Sequence, residues 1–463
     1  MQKYIGDRAF YRRVMAVLIP ILTQHVITNF VAMLDNIMVG QIGTEPMSGV
    51  AIVNQILFVY NLCIIGGVGG AGILTAQYYG KGDTEGIRWS IRVKCAIALG
   101  AFLLFGTLLV LFGGNFISLF LHEGEEGLDL AAAMGYAQDY LRVMLFQTLP
   151  FAVSMVYAST LRETGETVLP MKAGIIAVFV NLVFNYILIF GKLGMPALGV
   201  TGAAIATVLS RLVELGILVG WTHRHGERNP AFTGLYRSFH VPKTVVRQVV
   251  ILGLPLLANE LLWSGGMTTL MQCYSLRGLE VISAMNISST ISNLFFSAFI
   301  ATGNATAIIV GQLLGAGETE RAVDEDRKLI ALALAISLVI GILIALLAPV
   351  FPLLYNTVPQ VRHLATRILL ISAMMMPLHA FANSCYFTLR SGGKTFITFL
   401  FDSGSLWLLS LPAALVLSRF TTVPIVPMYL IVEGIGLIKC AVGYVMVRRR
   451  RWAVNLVAGG DPA

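Results

Sequence analysis

The sequence predicts an all-α polytopic membrane protein, twelve transmembrane helices in two six-helix pseudo-symmetric lobes. Three observations carry that expectation. Hydrophobic residues make up 57% of the chain and charged ones 12%, with a mean hydropathy of +0.79, a composition that excludes a soluble globular class. Apolar segments begin near Val14, Ser48, Ile87, Ala131, Thr167, Ala197, Thr244, Ile282, Leu329, Val361, Thr395 and Pro424. Each runs for roughly 20 to 30 residues, enough to cross about 30 Å of hydrocarbon. The third observation is an internal repeat. Gly311-Gln312-Leu313-Leu314-Gly315-Ala316-Gly317-Glu318 matches Ala76-Gln77-Tyr78-Tyr79-Gly80-Lys81-Gly82-Asp83 at a shift of 235 residues (312 less 77).

That shift also superposes Pro20 on Pro255, Gly43 on Gly278, Glu45 on Glu280, Ser48 on Ser283, Thr84 on Thr319 and Glu85 on Glu320. Further along, Leu161-Arg162 matches Leu389-Arg390 at a shift of 228 (390 less 162), with Thr167 on Thr395 and Arg211 on Lys439. The seven-residue change falls in the third loop, which in the first half carries Glu123, Glu125, Glu126 and Asp129. Turn and helix-end residues agreeing in one register mark a duplicated unit. Each unit has an even number of spans, so the copies run parallel across the membrane, with the expected site in a cavity between them. The division is an N-lobe over 1–222, a polar linker over 223–247 and a C-lobe over 248–463.

Charge placement orients the spans. Lys and Arg fall on one set of alternate loops in a ratio of roughly five to one, the positive-inside pattern. The rich set includes Lys3, Arg8, Arg12, Arg13, Lys81, Arg162, Lys172, the segment around Arg224 to Arg247, Arg321, Arg390, Lys394 and Arg448 to Arg451. Both termini are therefore expected in the cytoplasm, in a multi-pass protein of the cell (inner or plasma) membrane. The net charge of +8 belongs to this asymmetry, and no nucleic-acid partner is expected. The first apolar stretch is too long for a signal h-region and is expected to stay. The basic N-terminal segment reads as an orientation anchor.

Helix 1, from about Leu18 to Val39, carries Gln24, His25, Thr28, Asn29, Asp35 and Asn36 in rows that share one face at the helical period. A carboxylate at bilayer depth costs about 2.5 to 3.5 kcal/mol on the mildest scale, which makes Asp35 a functional-site candidate. At 1.5 Å per residue, Asp35 lies about 7 Å below the helix end and Asn185 of helix 5 about 9 Å below its own, with Asn181 one turn beneath. Thr207 of helix 6 reaches a comparable depth. One acid, two amides and a hydroxyl make either an oxygen cage for sodium or a hydrogen-bonded proton site. In helix 7 the repeat lays Asn259-Glu260 over Gln24-His25, so both lobes carry a polar pair at one place. Glu260 is read as a substrate or cation group. Met374 to Met376, with Phe295, Phe296 and Phe299, form a candidate adaptable apolar wall. Asp402 reads as a structural salt bridge to Arg390 or Lys394, Glu433 as paired with Lys439, and Arg211 has no acid but Glu214.

Several motifs are discounted. Gly67-Val68-Gly69-Gly70-Ala71-Gly72 satisfies a dinucleotide-binding pattern but lies inside an apolar span with no preceding strand. His223 and His225 show no metal-ligand spacing, and no Walker A sequence occurs. Cys63, Cys95, Cys273, Cys385 and Cys440 stand at unrelated spacings in or beside spans and read as packing residues.

The stretch Asp35-Asn36-Ile37-Met38-Val39-Gly40-Gln41-Ile42-Gly43, the paired Gln77 and Gln312 segments, Leu161-Arg162-Glu163-Thr164-Gly165-Glu166-Thr167, and Gly199-Val200-Thr201-Gly202-Ala203-Ala204-Ile205-Ala206-Thr207 resemble the multidrug and toxic compound extrusion (MATE) family. The similarity covers essentially the whole chain in motif order. It implies a proton- or sodium-coupled antiporter expelling amphipathic, often cationic, organic compounds, with no other cofactor. It also implies that the positions matching Asp35, Asn181, Asn185 and Thr207 form a first-lobe cation site. One branch of the family has an acid where this chain has Asn185, and another has an acid in helix 10, where this chain offers His379 and Asn383. The expected substrate cavity comprises Gln24, His25, Asn29, Asn259, Glu260, Met285, Phe295 and Met375, in a monomer embedded in the lipid bilayer. Two alternatives predict other features. A flippase of lipid-linked precursors would carry extra spans and a strongly basic cavity. A membrane-embedded enzyme would need paired acids, a metal motif or a surface nucleophile.

Overall fold

The computed structural model describes residues 4–120, 129–355 and 357–458. Lys3 and the acidic Glu123, Glu125 and Glu126 lie outside them. Among the described residues, twelve helices are long and apolar enough to cross a membrane: α1 Arg8–Gly40, α2 Thr44–Lys81, α3 Thr84–Ser118, α4 Leu130–Glu163, α5 Val168–Phe190, α6 Gly199–Arg224, α7 Lys243–Ser275, α8 Leu279–Gly315, α9 Thr319–Leu347, α10 Pro359–Ser391, α11 Thr395–Phe420 and α12 Ile425–Arg448. The number matches the sequence expectation. The helices run past the apolar segments because capping residues lie outside them. Asp7 accepts from Phe10 N at the start of α1, Asp83 from Gly86 N at α3, and Asp129 from Ala131 N and Ala132 N at α4.

Within the first six helices α2, α3, α4 and α6 pack on one another and α5 lies against α6 and α1; in the second six, α8, α9, α10 and α12 do the same. Outward faces of α3 and α9 present Leu103, Leu104, Val110, Leu111, Leu338, Val339, Ile342 and Leu346, all exposed and apolar, as a lipid-facing surface demands.

The repeat is visible as geometry on the face where the chain enters α1 and leaves α12, called here the terminal face. Gly82 and Gly317, 235 positions apart, both take left-handed φ values (77° and 80°), the conformation that lets the backbone turn from α2 into α3 and from α8 into α9. Two residues earlier in each copy, Gly80 and Gly315 each meet the opposite helix's backbone across the lobe interface. A Cβ on Gly80 would lie 1.8 Å from the Gln312 carbonyl oxygen, and one on Gly315 1.9 Å from that of Gln77. Gln77 donates to Ser391 O (3.1 Å) while Gln312 donates to Glu163 O (2.8 Å), and Ser391 is Glu163 displaced by 228. Reciprocal contacts of this kind follow from a two-fold relation between the copies.

Further bonds close the same face. Arg13 of α1 pairs with Glu325 of α9. The chain after α12 lies between the lobes, where Leu456 N donates to Gln77 Oε1 (2.7 Å), Asn455 Nδ2 to Gly315 O (3.3 Å), and Val457 O accepts from Lys81 Nζ (2.9 Å). Trp452 is buried in this seam.

The linker is docked rather than free. Arg88 of α3 donates to Ala231, Pro230 and Thr233 carbonyls and Arg92 to those of Leu235 and His240, while Phe232 stacks on Tyr157 at 5.0 Å.

Candidate cation and substrate sites

Asp35 sits five residues before the end of α1, half-buried against α5. Asn185 Nδ2 donates to its Oδ1 at 2.8 Å. One amide atom of Asn181 lies 2.8 and 2.9 Å from the two carboxylate oxygens, which identifies that atom as the nitrogen and turns the amide oxygen toward Thr207 Oγ1 at 3.3 Å. Asn181 and Asn185 are spaced one turn apart on α5, so both amides fall on the face that meets α1, and Thr207 arrives from α6 beside them. The four residues named from the sequence therefore form one cluster. Asn185 Oδ1 is buried without a hydrogen-bond partner among the described residues. No basic nitrogen lies within ion-pairing distance of Asp35 among the described residues, and Arg211, which acts on it from further off, is held by Glu214 at 2.7 Å. No cluster of three or more His, Cys, Asp or Glu side chains suited to a metal ion occurs among the described residues.

A separate cavity of about 660 Å³ lies between the lobes above the terminal-face closure. Of the residues named from the sequence, His25 from α1, Asn259 and Glu260 from α7, and Met375 from α10 line it. Four other expected residues do not. Gln24 turns against Gly174 of α5 and accepts from Arg162 (3.4 Å), and Asn29 donates to Ser297 of α8 (2.8 Å), because α1 is wedged between the lobes and its polar stripe is shared among three neighbours. Met285 packs half-buried beside Leu364 and Tyr429, and Phe295 against Ile291 and Phe299, inside C-lobe cores. From the apolar wall, Phe296 and Met375 reach the cavity, Phe299 is fully buried and Met374 points outward.

The polar pairing in the C-lobe also corrects the sequence reading. Asp402 bonds Lys439 of α12 at 2.6 Å, not Arg390 or Lys394, and accepts from Asn259 Nδ2 at 3.2 Å. Glu433 faces His379 Nε2 at 3.0 Å rather than Lys439. The reason is local: from Leu400 to Ser410, α11 widens to i→i+5 turns, which swings Asp402 toward α7 and α12. Asn259 fills the crossing by bonding Ser403 as well (2.7 Å to Oγ). Glu260 has no hydrogen-bond or ion-pair partner among the described residues, and its charged neighbours are Arg390 and Asp402.

Sequence reasoning missed Arg162, Glu163, Trp263 and Lys439 as cavity residues. A signal for one existed: Arg162 and Arg390 are repeat equivalents, and a charge retained at the same place in both copies points to a shared interface. Glu163 is paired with Lys94, a wholly buried lysine that also donates to Ser159 and Thr160 (3.2 and 3.1 Å).

Against known proteins, the family model MatE matches residues 20–187 and 255–416. The two matched stretches begin at Pro20 and Pro255, the repeat equivalents. The chain is 26% identical to the probable multidrug resistance protein NorM of Thermotoga maritima, covering 87% of this chain and 84% of the relative. It is 28% identical to the multidrug resistance protein MdtK of Pectobacterium atrosepticum, covering 90% and 89%. Among solved structures, the outward-facing conformation of a multidrug resistance MATE family transporter of the MOP superfamily superposes with a TM-score of 0.86 at 19% identity over 97% of both chains. A MATE structure in the bent conformation gives 0.85 at 20% identity, over 97% of this chain and 96% of the other.

Proposed function

The chain belongs to the MatE family, a family of membrane transporters rather than enzymes, and from that premise we propose that it is a cation-coupled antiporter exporting amphipathic organic compounds, cations among them, by alternating access. The observation that carries this reading is the Asp35 cluster, a carboxylate inside a membrane-spanning helix bonded, among the described residues, by neutral amides alone. Such a charge is expensive in a membrane unless a positive ion visits it. The cavity supports the exporting half: its volume suits a drug-sized ligand, and Trp263, Phe296, Met267 and Met375 supply apolar walls around a few polar groups. The Thermotoga and Pectobacterium relatives, a probable multidrug resistance protein and a multidrug resistance protein, agree with a broad substrate range.

In this reading 1–222 and 248–463 are the moving lobes and 223–247 the join. The terminal face, rich in Lys and Arg, is cytoplasmic and closed, so the state is outward-facing. The ion must favour one lobe arrangement and the substrate the other, since a ligand indifferent to both shifts nothing. The amide nitrogens turned toward Asp35 favour a proton as the coupling ion: protonation displaces one donor, whereas sodium requires both amides to rotate and present oxygens. The protein is proposed to work as a monomer in the cell membrane.

The experiment is dye efflux from liposomes holding the purified protein, under an imposed proton gradient and, separately, an imposed sodium gradient. Efflux under the proton gradient alone is expected. Efflux under sodium alone would reassign the ion, and none under either would remove the antiporter reading.

A further inference from the structure

We propose that Arg162 and Arg390, one from each lobe, form the carboxylate-binding subsite of the inter-lobe cavity, the place where a substrate that carries a carboxylate is held. The inference rests on the efflux reading above and adds two specificity-determining residues to it.

The two arginines are repeat equivalents, and both line the one cavity. Three of the carboxylates on that cavity are paired at contact distance: Asp402 with Lys439, Glu433 with the His379 imidazole and Glu163 with Lys94. The two guanidiniums are not. Among the described residues, no carboxylate oxygen forms an ion pair with either. Arg162 touches only neutral groups, Gln24 Oε1 at 3.4 Å and Met155 Sδ at 4.0 Å, with Glu163 and Glu214 acting on it from beyond ion-pair range. Arg390 lies over the Phe387 ring at 5.6 Å and beside the Tyr386 hydroxyl. Its Nη2 reaches across the lobe interface to Gly69 of α2, where a Cβ would come within 2.6 Å of it.

Two positive charges held partly out of water without a paired anion are costly, and a ligand anion relieves that cost. Guanidinium is also the side chain whose donor fork matches a planar carboxylate. The cavity holds the complementary half of a zwitterion site. Glu260 and the buried Oδ1 of Asn383, which has no hydrogen-bond partner among the described residues, offer acceptors to an ammonium, and Trp263 and Phe296 offer apolar surface in the same cavity. Among the described residues Glu260 and Arg390 act on each other without forming an ion pair.

The test uses two fluorescent probes that differ in one group, rhodamine B, a zwitterion with a free carboxylate, and its ethyl ester, a cation. Binding to the purified full-length protein is measured for wild type, Arg162→Gln, Arg390→Gln and Arg390→Lys. Each glutamine variant is expected to weaken rhodamine B about tenfold, the size of a lost charge-assisted hydrogen bond, while the ester changes less than about twofold. The lysine variant should fall between. The ester also reports that each variant is folded. Equal loss for both probes, unchanged rhodamine B binding, or a wild type that takes the ester but not rhodamine B would each overturn the subsite while leaving the efflux reading intact. A wild type that binds neither probe would overturn both.

Discussion

Asp35 and Lys94 show how differently two charges inside a membrane protein are kept. Lys94 is fully buried but permanently satisfied, paired with Glu163 and bonded to two hydroxyls. Removing it strands a partly buried carboxylate, so Lys94→Ala should destabilise the protein by about 3 kcal/mol, the range for breaking a buried pair. The exposed pair Arg142–Asp139, at 3.4 Å with both side chains largely in solvent, is the comparator: Arg142→Ala should cost less than about 1 kcal/mol. Thermal unfolding in detergent separates the two, and an equal drop would show that the Lys94 pair is not structural. Asp35 is the opposite case. Its neighbours are neutral and adjustable, so its neutral variant should fold normally. The cluster around it was legible in sequence because one carboxylate and two amides one turn apart stand out in apolar spans. The partners of Asp402 and Glu433 were not, because they depend on a widened helix in α11 that no periodic pattern announces.

Among the elements, the crossing of α2 and α8 is the feature on which closure of the terminal face turns. Gly80 and Gly315 allow the two backbones to meet, and the Gln77 and Gln312 amides then bond the ends of α10 and α4 across the seam. A methyl group at either glycine meets a backbone carbonyl that cannot give way. Gly80→Ala and Gly315→Ala should therefore shift the population toward a state open on this face. Labelling of a cysteine introduced at Ser391, in an otherwise cysteine-free chain, is expected to speed up in both variants; unchanged labelling would mean that the closure is held elsewhere. Deleting the chain from Trp452 onward removes the bonds to Gln77, Lys81 and Gly315 and should have the same sign of effect. The duplicated helix ends were readable from residue identities alone. The docking of the linker and of the segment after α12 was not, since it uses main-chain carbonyls, which every residue possesses.

At the scale of the whole molecule, twelve spans, a two-fold relation between lobes and a cavity between them all follow from composition and repetition, and family membership accords with each. The lobes are not equivalent in chemistry. The repeat places Leu270 where the first lobe has Asp35, and Leu409 and Ala413 where it has Asn181 and Asn185. The proposed ion site therefore belongs to the N-lobe, while most of the cavity lining comes from the C-lobe. Coupling then requires a change of lobe arrangement rather than direct competition for one set of ligands. The measurement that bears most directly on this is efflux by Asp35→Asn in liposomes, with substrate binding measured on the same preparation. The variant is expected to bind substrate within about threefold of wild type, a margin of roughly 0.7 kcal/mol, while losing gradient-driven efflux. Full gradient-driven efflux by Asp35→Asn would contradict the assignment of the coupling ion to this carboxylate.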